Sequence, residues 1–261
     1  MHEPVEPSSG WGVLHLFYAV DRARADSDPE SAKRVLDAVA SLEADGHQAL
    51  TFVVLGHKAE LGILALGPDL ARLQVFQQDL TAAPLQLQWS YVSLTELSEY
   101  SATEADEQAR LAAEDGVTTP DEMEARLAEW HDRIDAYREH RLHPRLPAKR
   151  AICFYPMSKR REAGANWYAL DFDRRKELMA GHAAVGRSYA GRVLQLITGS
   201  AGLDDWEWGV TLLADDPTAL KDIVYEMRFD EISAQYADFG PFVAGLLLEP
   251  AEALRRLGLG T

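Results

Sequence analysis

An internal repeat limits most strongly how this chain can fold, because one order of predicted strands and helices occurs twice. The first copy contains a strand, a helix, a strand hairpin, a helix and a strand, at 10–20, 28–46, 47–56 with 61–67, 68–83 and 85–97. Gly46 suits the position after a helix, and Pro68 suits the first turn of the next one. The short polar segment HKAE predicts the hairpin turn.

The second copy has the same order of elements. Its strands and helices are predicted at 151–158, 171–191, 192–200 with 206–214, 217–229 and 239–249. One such unit, β-α-β-β-α-β, is the ferredoxin-like split motif. The sequence therefore predicts an α+β protein of two tandem ferredoxin-like halves with antiparallel sheets, of the dimeric α/β-barrel type. Each sheet carries helices on one face, so its open face must pack on the other sheet or on another subunit.

A charge-dense segment at 100–150 separates the two copies and predicts a helical linker. We therefore divide the chain into an N-terminal half (1–99), this linker and a C-terminal half (151–261). Pro120, preceded by threonines and followed by acidic residues, predicts a helix start. The segment becomes basic at 138–150, where seven of thirteen residues are Arg, Lys or His. Such a run indicates either an acidic partner or a solvated helix end.

Composition narrows the functional classes. The 261 residues carry a formal net charge of −16, which argues against nucleic acid and anionic membranes as main partners, because phosphate-binding surfaces need excess cations. The single cysteine, Cys153, excludes an internal disulfide framework and a metal site of several cysteines. The opening MHEPVEPSSG lacks the apolar core of a secretory signal, and no apolar run reaches the roughly 18–20 residues of a membrane span. We expect a protein of the reducing cytoplasm.

The segment CFYPMSKRR, at 153–161, ends a predicted strand with three cations. Side chains alternate along a strand, so Tyr155, Met157 and Lys159 share one face over roughly 13 Å. A phenol, a thioether and an ammonium make a poor dry core. They suit the wall of a pocket for an anionic ligand that can be oxidised. A plain strand end with solvated cations fits the same segment.

His182 lies within the apolar stripe of a predicted helix. Leu178, Met179, Val185 and Gly186 stand three or four positions from it, and its neighbours along the chain are small. Small neighbours let a flat molecule approach the backbone, and a single neutral imidazole is the ligand that an axial haem position needs. A core histidine satisfied by hydrogen bonds is the alternative.

Three further segments carry weaker signals. Arg228 and Ser233 flank a helix end, where they could hold a carboxylate or simply cap the helix. Trp167 could cover the edge of a planar ligand. The segment GSAGLDDWEWG favours a hairpin turn over a ligand loop. The chain contains no G-x-G-x-x-G, P-loop, G-x-S-x-G or H-E-x-x-H pattern, which removes the usual dinucleotide, phosphate, serine-hydrolase and zinc sites.

Five motifs of the C-terminal half, taken together, resemble one known family. They are CFYPMSKRR, NWYAL, LMAGHAAVGRSYAG, VLQLITGSAGLDDWEWGV and IVYEMRFDEISAQYADFGPF. They closely resemble the coproheme decarboxylases, the haem-synthesis branch of the chlorite dismutase-like family. The match is dense from Ala151 to about Leu248 and weaker over 10–97.

The resemblance implies two ferredoxin-like halves, usually a ring of five subunits, and an iron porphyrin held by the C-terminal half. His182 corresponds to the proximal iron ligand and Tyr155 to the catalytic tyrosine. Gln195 stands where these decarboxylases carry a distal glutamine and where true chlorite dismutases carry an arginine. The remaining porphyrin contacts implied by the resemblance are Arg141, Met157, Lys159, Trp167, Arg228 and Ser233. Some relatives use a distal histidine from the linker, for which the candidates are His131, His140 and His143.

The implied reaction is the peroxide-dependent oxidative decarboxylation of two propionates of iron coproporphyrin III, or coproheme, which gives haem b. In it a radical on Tyr155 takes a hydrogen from a propionate, while Lys159 orients the carboxylate and does not act as a base. Coproheme is then both substrate and redox centre, hydrogen peroxide is the co-substrate, and a coproporphyrin ferrochelatase is a partner that would supply coproheme. The alternatives are a chlorite dismutase, a weak peroxidase and a non-catalytic haem-binding protein.

Overall fold

The computed structural model describes residues 3–28 and 30–260. Its first part contains four strands and three helices. They are β1 (Gly12–Val20), α1 (Arg22–Ser27), α2 (Ser31–Ala44), β2 (Gln48–Val54), β3 (Leu61–Gly67), α3 (Leu70–Asp79) and β4 (Leu85–Thr95). The order β-α-β-β-α-β matches the predicted first repeat, with the short helix α1 added after β1. Asp21 caps α1 by accepting a hydrogen bond from the Arg24 N–H.

Two helices follow in the predicted linker, and five strands and four helices lie beyond them. They are α4 (Glu104–Ala113), α5 (Pro120–Leu142), β5 (Ala151–Lys159), α6 (Phe172–Ser188), β6 (Val193–Gly199), β7 (Trp208–Ala214), α7 (Pro217–Met227), α8 (Glu231–Tyr236), β8 (Ala237–Phe239), β9 (Val243–Leu247) and α9 (Pro250–Arg256). Helix α5 begins at Pro120 as predicted, with the Thr119 hydroxyl as its cap. The basic run 138–150 is partly paired within the chain, because Lys149 lies 2.6 Å from Asp215.

The strand predicted at 239–249 forms only over β9, Val243–Leu247. Phe239 instead ends the short strand β8, and β8 and β9 pair with the end and the beginning of β5 respectively. Gly240 and Pro241 lie between the two strands, and proline has no N–H to donate to a ladder, so pairing is interrupted there. Helix α8 was also not predicted, and Asp230 caps it by accepting from the Ser233 N–H.

The strands form one closed antiparallel barrel. Their order around the ring is β7, β6, β4, β1, β3, β2, β9 and β5, and β5 pairs with β7 to close it. Each half has the ferredoxin-like strand order, and the halves meet at two seams, β4 with β6 and β2 with β9. The predicted α+β class and antiparallel ferredoxin-like halves are confirmed. The two open faces pack on each other inside one chain.

The alternation of side chains on β5 separates the barrel interior from the outer, helix-covered face. Phe154 points inward, where it is fully buried in a cluster with Phe17 and Phe52. Tyr155 points outward into a second cluster that includes Ile223 of α7. Burying one such aromatic side chain stabilises the fold by about 1.5–3 kcal/mol, so a shift that exchanged the two faces of β5 would be costly. The alternation therefore determines which residues of β5 can face a ligand under the helices.

None of the helices within 3–28 and 30–260 is both long enough and apolar enough to cross a membrane.

Candidate functional site

Tyr155 lies on the outer face of β5 and is nearly buried, with 4% of its surface exposed. Its ring stacks on Phe242, with centroids 4.3 Å apart and planes tilted by 23°. Phe239 lies beside the same ring at 5.9 Å. Burial raises the pKa of the Tyr155 phenol well above its usual value, and the cation of Arg228 opposes this effect only in part. The phenol is therefore protonated at neutral pH.

Lys159 and Trp167 form one unit at the end of β5. The Lys159 Nζ lies 4.5 Å from the centroid of the Trp167 ring, a cation–π contact. Trp167 is 3% exposed and packs with Leu178 of α6 and Ile232 of α8. Burial lowers the pKa of Lys159 to about 8, and the charges of Asp230 and Glu207 act in the opposite direction. The ammonium is thus held next to α6 and α8, two elements of the same face.

His182, on α6, makes a specific hydrogen bond to a carboxylate. Its Nδ1 lies 2.9 Å from the Asp230 Oδ2. The same carboxylate accepts from the Ser233 hydroxyl at 3.1 Å and from the Ser233 N–H at 3.0 Å. Burial tends to raise the pKa of Asp230, but the hydrogen bond and charge of His182 outweigh it and the pKa is lowered. Asp230 is therefore ionised and accepts the Nδ1 proton.

The arrangement at His182 fits an axial iron ligand. Because Nδ1 donates to a carboxylate, the neutral form of this imidazole has its lone pair on Nε2, and a carboxylate behind a ligating imidazole increases its basicity. His182 makes no hydrogen bond through Nε2 within the described part of the chain. The same residues contain no cluster of three or more His, Cys, Asp or Glu side chains that could hold a metal ion. A metal at His182 would therefore need most of its other ligands from a bound ring.

Arg228 and Ser233 line a cavity of about 490 Å³, within the usual size range of ligand pockets. The Arg228 guanidinium lies 3.8 Å from the centroid of Phe239 and 5.9 Å from that of Phe242. Since Phe242 stacks on Tyr155, the cavity and the phenol are separated by one aromatic layer. The whole lining is Arg160, Arg228, Ser233, Ala234, Ala237, Asp238, Phe239 and Phe242.

Gln195 and Arg141 approach the same face from other elements. The Gln195 amide, on β6, donates to the Gly186 carbonyl of α6 at 3.0 Å, one turn after His182. Arg141, in the last turn of α5, donates to the Ile197 carbonyl at 3.4 Å, while its Nε is buried without a hydrogen-bond partner. A buried N–H that lacks a partner is costly. The unpaired Nε of Arg141 therefore favours a bound ligand that would supply the acceptor.

Eight of the nine predicted residues therefore lie on the helix-covered side of the C-terminal half, and Arg141 reaches the Ile197 carbonyl from α5. A chain of contacts links His182 to Tyr155: hydrogen bonds join His182, Asp230 and Ser233, Ser233 lines the cavity with Phe242, and Phe242 stacks on Tyr155. Met157 packs in the apolar cluster of Tyr155. None of the cations Arg141, Lys159 and Arg228 has a carboxylate within 4 Å among the described residues, although neighbouring Arg160 and Arg161 do. In a chain of charge −16, such cations are available to an anionic ligand.

The linker histidines lie elsewhere. His131 contacts Glu104 at 3.0 Å, and His143 contacts Glu139 at 2.9 Å. His140 and His143 line a larger cavity of about 630 Å³ with Trp11, and this cavity contains none of the nine predicted residues. Arg228 and Ser233 line the smaller cavity, so the smaller cavity is the better site.

Four residues of this region were not identified from the sequence. Asp230, Phe239, Phe242 and Glu207 contact the predicted residues directly. Asp230 had a detectable signal, because a capping aspartate followed by an acidic residue, here Glu231, is typical of a helix start. The two phenylalanines had none, since their contact with Tyr155 depends on how the strand after α8 is divided.

Comparisons with known proteins agree on one family. A profile described as chlorite dismutase matches residues 29–248. A coproheme decarboxylase of Staphylococcus carnosus is 41% identical over 268 residues, covering 97% of this chain and 98% of that protein. A Natronomonas pharaonis protein named for heme binding is 40% identical, but the alignment covers 96% of this chain and only 41% of that protein. The solved structure of a heme-binding protein from Thermus thermophilus is 38% identical, with a TM-score of 0.77 and coverage of 99% of this chain and 100% of that one.

Proposed function

This chain belongs to the chlorite dismutase family, and on that premise we propose that it converts iron coproporphyrin III to haem b by oxidative decarboxylation of two propionates with hydrogen peroxide. The observation that carries the proposal is the chain of contacts from His182 to Tyr155 past unpaired cations. An imidazole that can bind iron, a buried phenol and charges for carboxylates are brought to one face.

His182 would hold the iron through Nε2. Asp230 accepts the Nδ1 proton and thereby fixes the tautomer and the ring orientation. When bound, the iron porphyrin supplies the redox chemistry by which hydrogen peroxide delivers its oxidising equivalents. The protein contributes position, charge and the oxidisable side chain.

The propionates would be held by the three unpaired cations and Ser233. Burying carboxylates without partners is costly, and charge-assisted hydrogen bonds from Arg228, Lys159 and Arg141 offset that cost. Met157 and Trp167 would then contact the edge of the ring. Because the pKa of Lys159 is about 8, its side chain is mostly an ammonium at neutral pH and serves to orient a carboxylate rather than to take a proton.

Tyr155 would carry the hydrogen transfer. Its phenol is protonated, so oxidation removes a hydrogen atom, and the resulting radical takes one from the β-carbon of a propionate. The propionate then loses carbon dioxide and one further electron and becomes a vinyl group. For each propionate one hydrogen peroxide accepts both electrons, the proton from the β-carbon and one further proton from solvent, and leaves as two water molecules.

Gln195 favours this reaction over chlorite breakdown, because an amide replaces the cation found at that position in chlorite dismutases. The weak peroxidase and the non-catalytic haem carrier are separated from the proposal by the assay below. A ring of five subunits, a cytoplasmic location and supply of coproheme by a ferrochelatase belong to the same proposal.

The decisive experiment compares the protein with Tyr155→Phe. Each is loaded with ferric coproporphyrin III, peroxide is added in steps, and porphyrin products are separated by chromatography. We expect a three-propionate intermediate and then haem b from the unmodified protein, and binding without decarboxylation from Tyr155→Phe. Tyr18→Phe, which removes a buried phenol from β1 of the other half, is the matched control and should retain turnover.

Haem b formation by Tyr155→Phe at the normal rate would remove this tyrosine from the mechanism. Bleaching of the porphyrin without loss of carbon dioxide would leave only the peroxidase and carrier alternatives. Oxygen release on addition of chlorite would favour a chlorite dismutase.

A further inference from the structure

Glu207 is a carboxylate in an unusually buried position, with 6% of its surface exposed. It directly precedes β7, and its two carboxylate oxygens have separate partners. One accepts the backbone N–H of Lys159 at 2.7 Å, and the other contacts the Arg161 guanidinium. Carboxylates are rarely buried unless they are paired and hydrogen-bonded, so these contacts define a built site rather than a chance surface pair.

The hydrogen bond from the Lys159 N–H to Glu207 takes the place of a backbone hydrogen bond between strands. Pairing of β5 with β7 ends at Met157, opposite Trp208, so beyond this point no strand lies on that side of β5. The N–H of Lys159 would then have no acceptor, and an unpaired buried N–H is unfavourable. The carboxylate of Glu207 supplies the acceptor on this side of β5, while β8 pairs with Lys159 on the other side.

The same arrangement occurs in the N-terminal half, around Glu60. Its carboxylate accepts the N–H of Val20, the last residue of β1, at 2.7 Å, and contacts the guanidinium two residues further on, that of Arg22. The Glu60 N–H donates to the Tyr18 carbonyl at 2.7 Å, as the Glu207 N–H donates to the Met157 carbonyl at 3.1 Å. Each glutamate directly precedes the third strand of its half. The motif is therefore a repeated element of the fold.

The two copies of this motif differ in the residue at the strand end and in the burial of the glutamate. In the N-terminal copy the strand-end residue is Val20, and Glu60 has 34% of its side chain exposed. In the C-terminal copy the strand-end residue is Lys159, and only 8% of the Glu207 side chain is exposed. We propose that Glu207 is a positioning residue, the C-terminal copy of a repeated strand-end motif, which holds the Lys159 ammonium over Trp167 and toward the propionate-binding face.

The surroundings of Lys159 support this role. The charged groups that face its ammonium are Glu207, from the connection before β7, and Asp230, from the turn before α8. Asp230 is committed to His182 and Ser233, so it is not free to pair with the ammonium. The position of Lys159 is thus set by its backbone and by Trp167. The functional use of that position rests on the proposed function, whereas the placement itself does not.

The test compares Glu207→Ala with Glu60→Ala, which removes the same contacts from the other half. In the ligand-free protein, NMR measures amide hydrogen exchange and the lysine methylene resonances that the Trp167 ring current shifts. We expect Glu207→Ala to speed exchange at the Lys159 amide by roughly tenfold to a hundredfold and to return its methylene resonances to ordinary values. Glu60→Ala should speed exchange at Val20 instead and leave the Lys159 resonances unchanged.

Turnover of added coproporphyrin is the second measurement. We expect Glu207→Ala to slow decarboxylation of bound porphyrin by about tenfold, because a misplaced group loses its orientation, and Glu60→Ala to change it by less than about twofold. If Glu207→Ala does not fold, Glu207→Gln is used, with a smaller effect at the same residue. Unchanged Lys159 resonances in a folded Glu207 variant would overturn the inference. Absence of turnover in every protein, with displaced Lys159 resonances, would instead refute the proposed function alone.

Discussion

At the level of single residues, Asp230 connects more of the site than any residue identified from the sequence. It caps α8, accepts the proton of the His182 imidazole and binds the Ser233 hydroxyl. Sequence patterns identified His182 and Ser233, because an imidazole in an apolar stripe and a hydroxyl at a helix end are local features. The bond from His182 to Asp230 spans 48 positions, and only the packing of α8 against α6 creates it.

Asp230→Asn should weaken the binding of iron coproporphyrin III by about 10–100-fold, the usual cost of losing the partner behind a metal ligand. Asparagine keeps the size and the capping ability of aspartate, but it lacks the charge that makes the imidazole a stronger donor. Titration of the porphyrin, followed by its main absorption band, measures the affinity.

Asp216→Asn provides the control for this change, since Asp216 caps α7 in the same way without contacting His182. Equal affinities for both variants and the unmodified protein would show that Asp230 serves the helix and not the iron.

At the level of elements, α6 and α7 were predicted closely, whereas α8 and the contact between α6 and the linker were not. The predicted helix at 171–191 corresponds to Phe172–Ser188, capped by Asp171. The helix is tied to the linker: the Lys176 ammonium lies 2.9 Å from both carboxylate oxygens of Asp106, which also belongs to the capping box of α4. The linker thus contacts the helix that carries His182, a relation that the charge pattern alone could not assign to particular residues.

Lys176→Ala should lower the melting temperature slightly at pH 7 and increase hydrogen exchange in α4. The pKa of Asp106 is held well below its ordinary value, first by the hydrogen bond from Lys176. A lowered carboxyl pKa contributes stability above the ordinary value near 4, and this contribution is lost as the pH falls below it. The difference in melting temperature between variant and unmodified protein should therefore shrink below about pH 4.

Lys221→Ala is the comparison for Lys176→Ala, because Lys221 pairs with its neighbour Asp222 on the exposed side of α7. A constant difference across the acidic range would contradict the assigned role of the Asp106 contact.

At the level of the whole molecule, the repeat predicted the elements of each half, their order and an arrangement of the barrel type, but not whether the open faces pack within one chain or between subunits. Periodicity shows that a sheet has an apolar open face, whereas the partner of that face depends on edges far apart in sequence. The seams pair only Leu94 and Thr95 of β4 with β6, and Phe52–Val54 of β2 with β9. The division of the chain at 99 and 150 stays a prediction.

Gly62→Ala should reduce the free energy of unfolding by about 1–3 kcal/mol, the usual cost of overpacking a core. A Cβ at Gly62 would lie 2.1 Å from the Phe52 ring, across the pairing of β2 with β3 beside a seam. Denaturant titration measures the change. Gly260→Ala, where a Cβ meets nothing within 4 Å, should be neutral, and similar midpoints for both variants would contradict the close packing of this wall.

The two seams mean that neither half has all its sheet edges covered without the other. A chain with a single repeat would need to associate with a second copy of itself to cover these edges, which the present chain covers within one polypeptide. Proteolytic cleavage between α4 and α5 should accordingly yield fragments that stay associated until denaturant separates them.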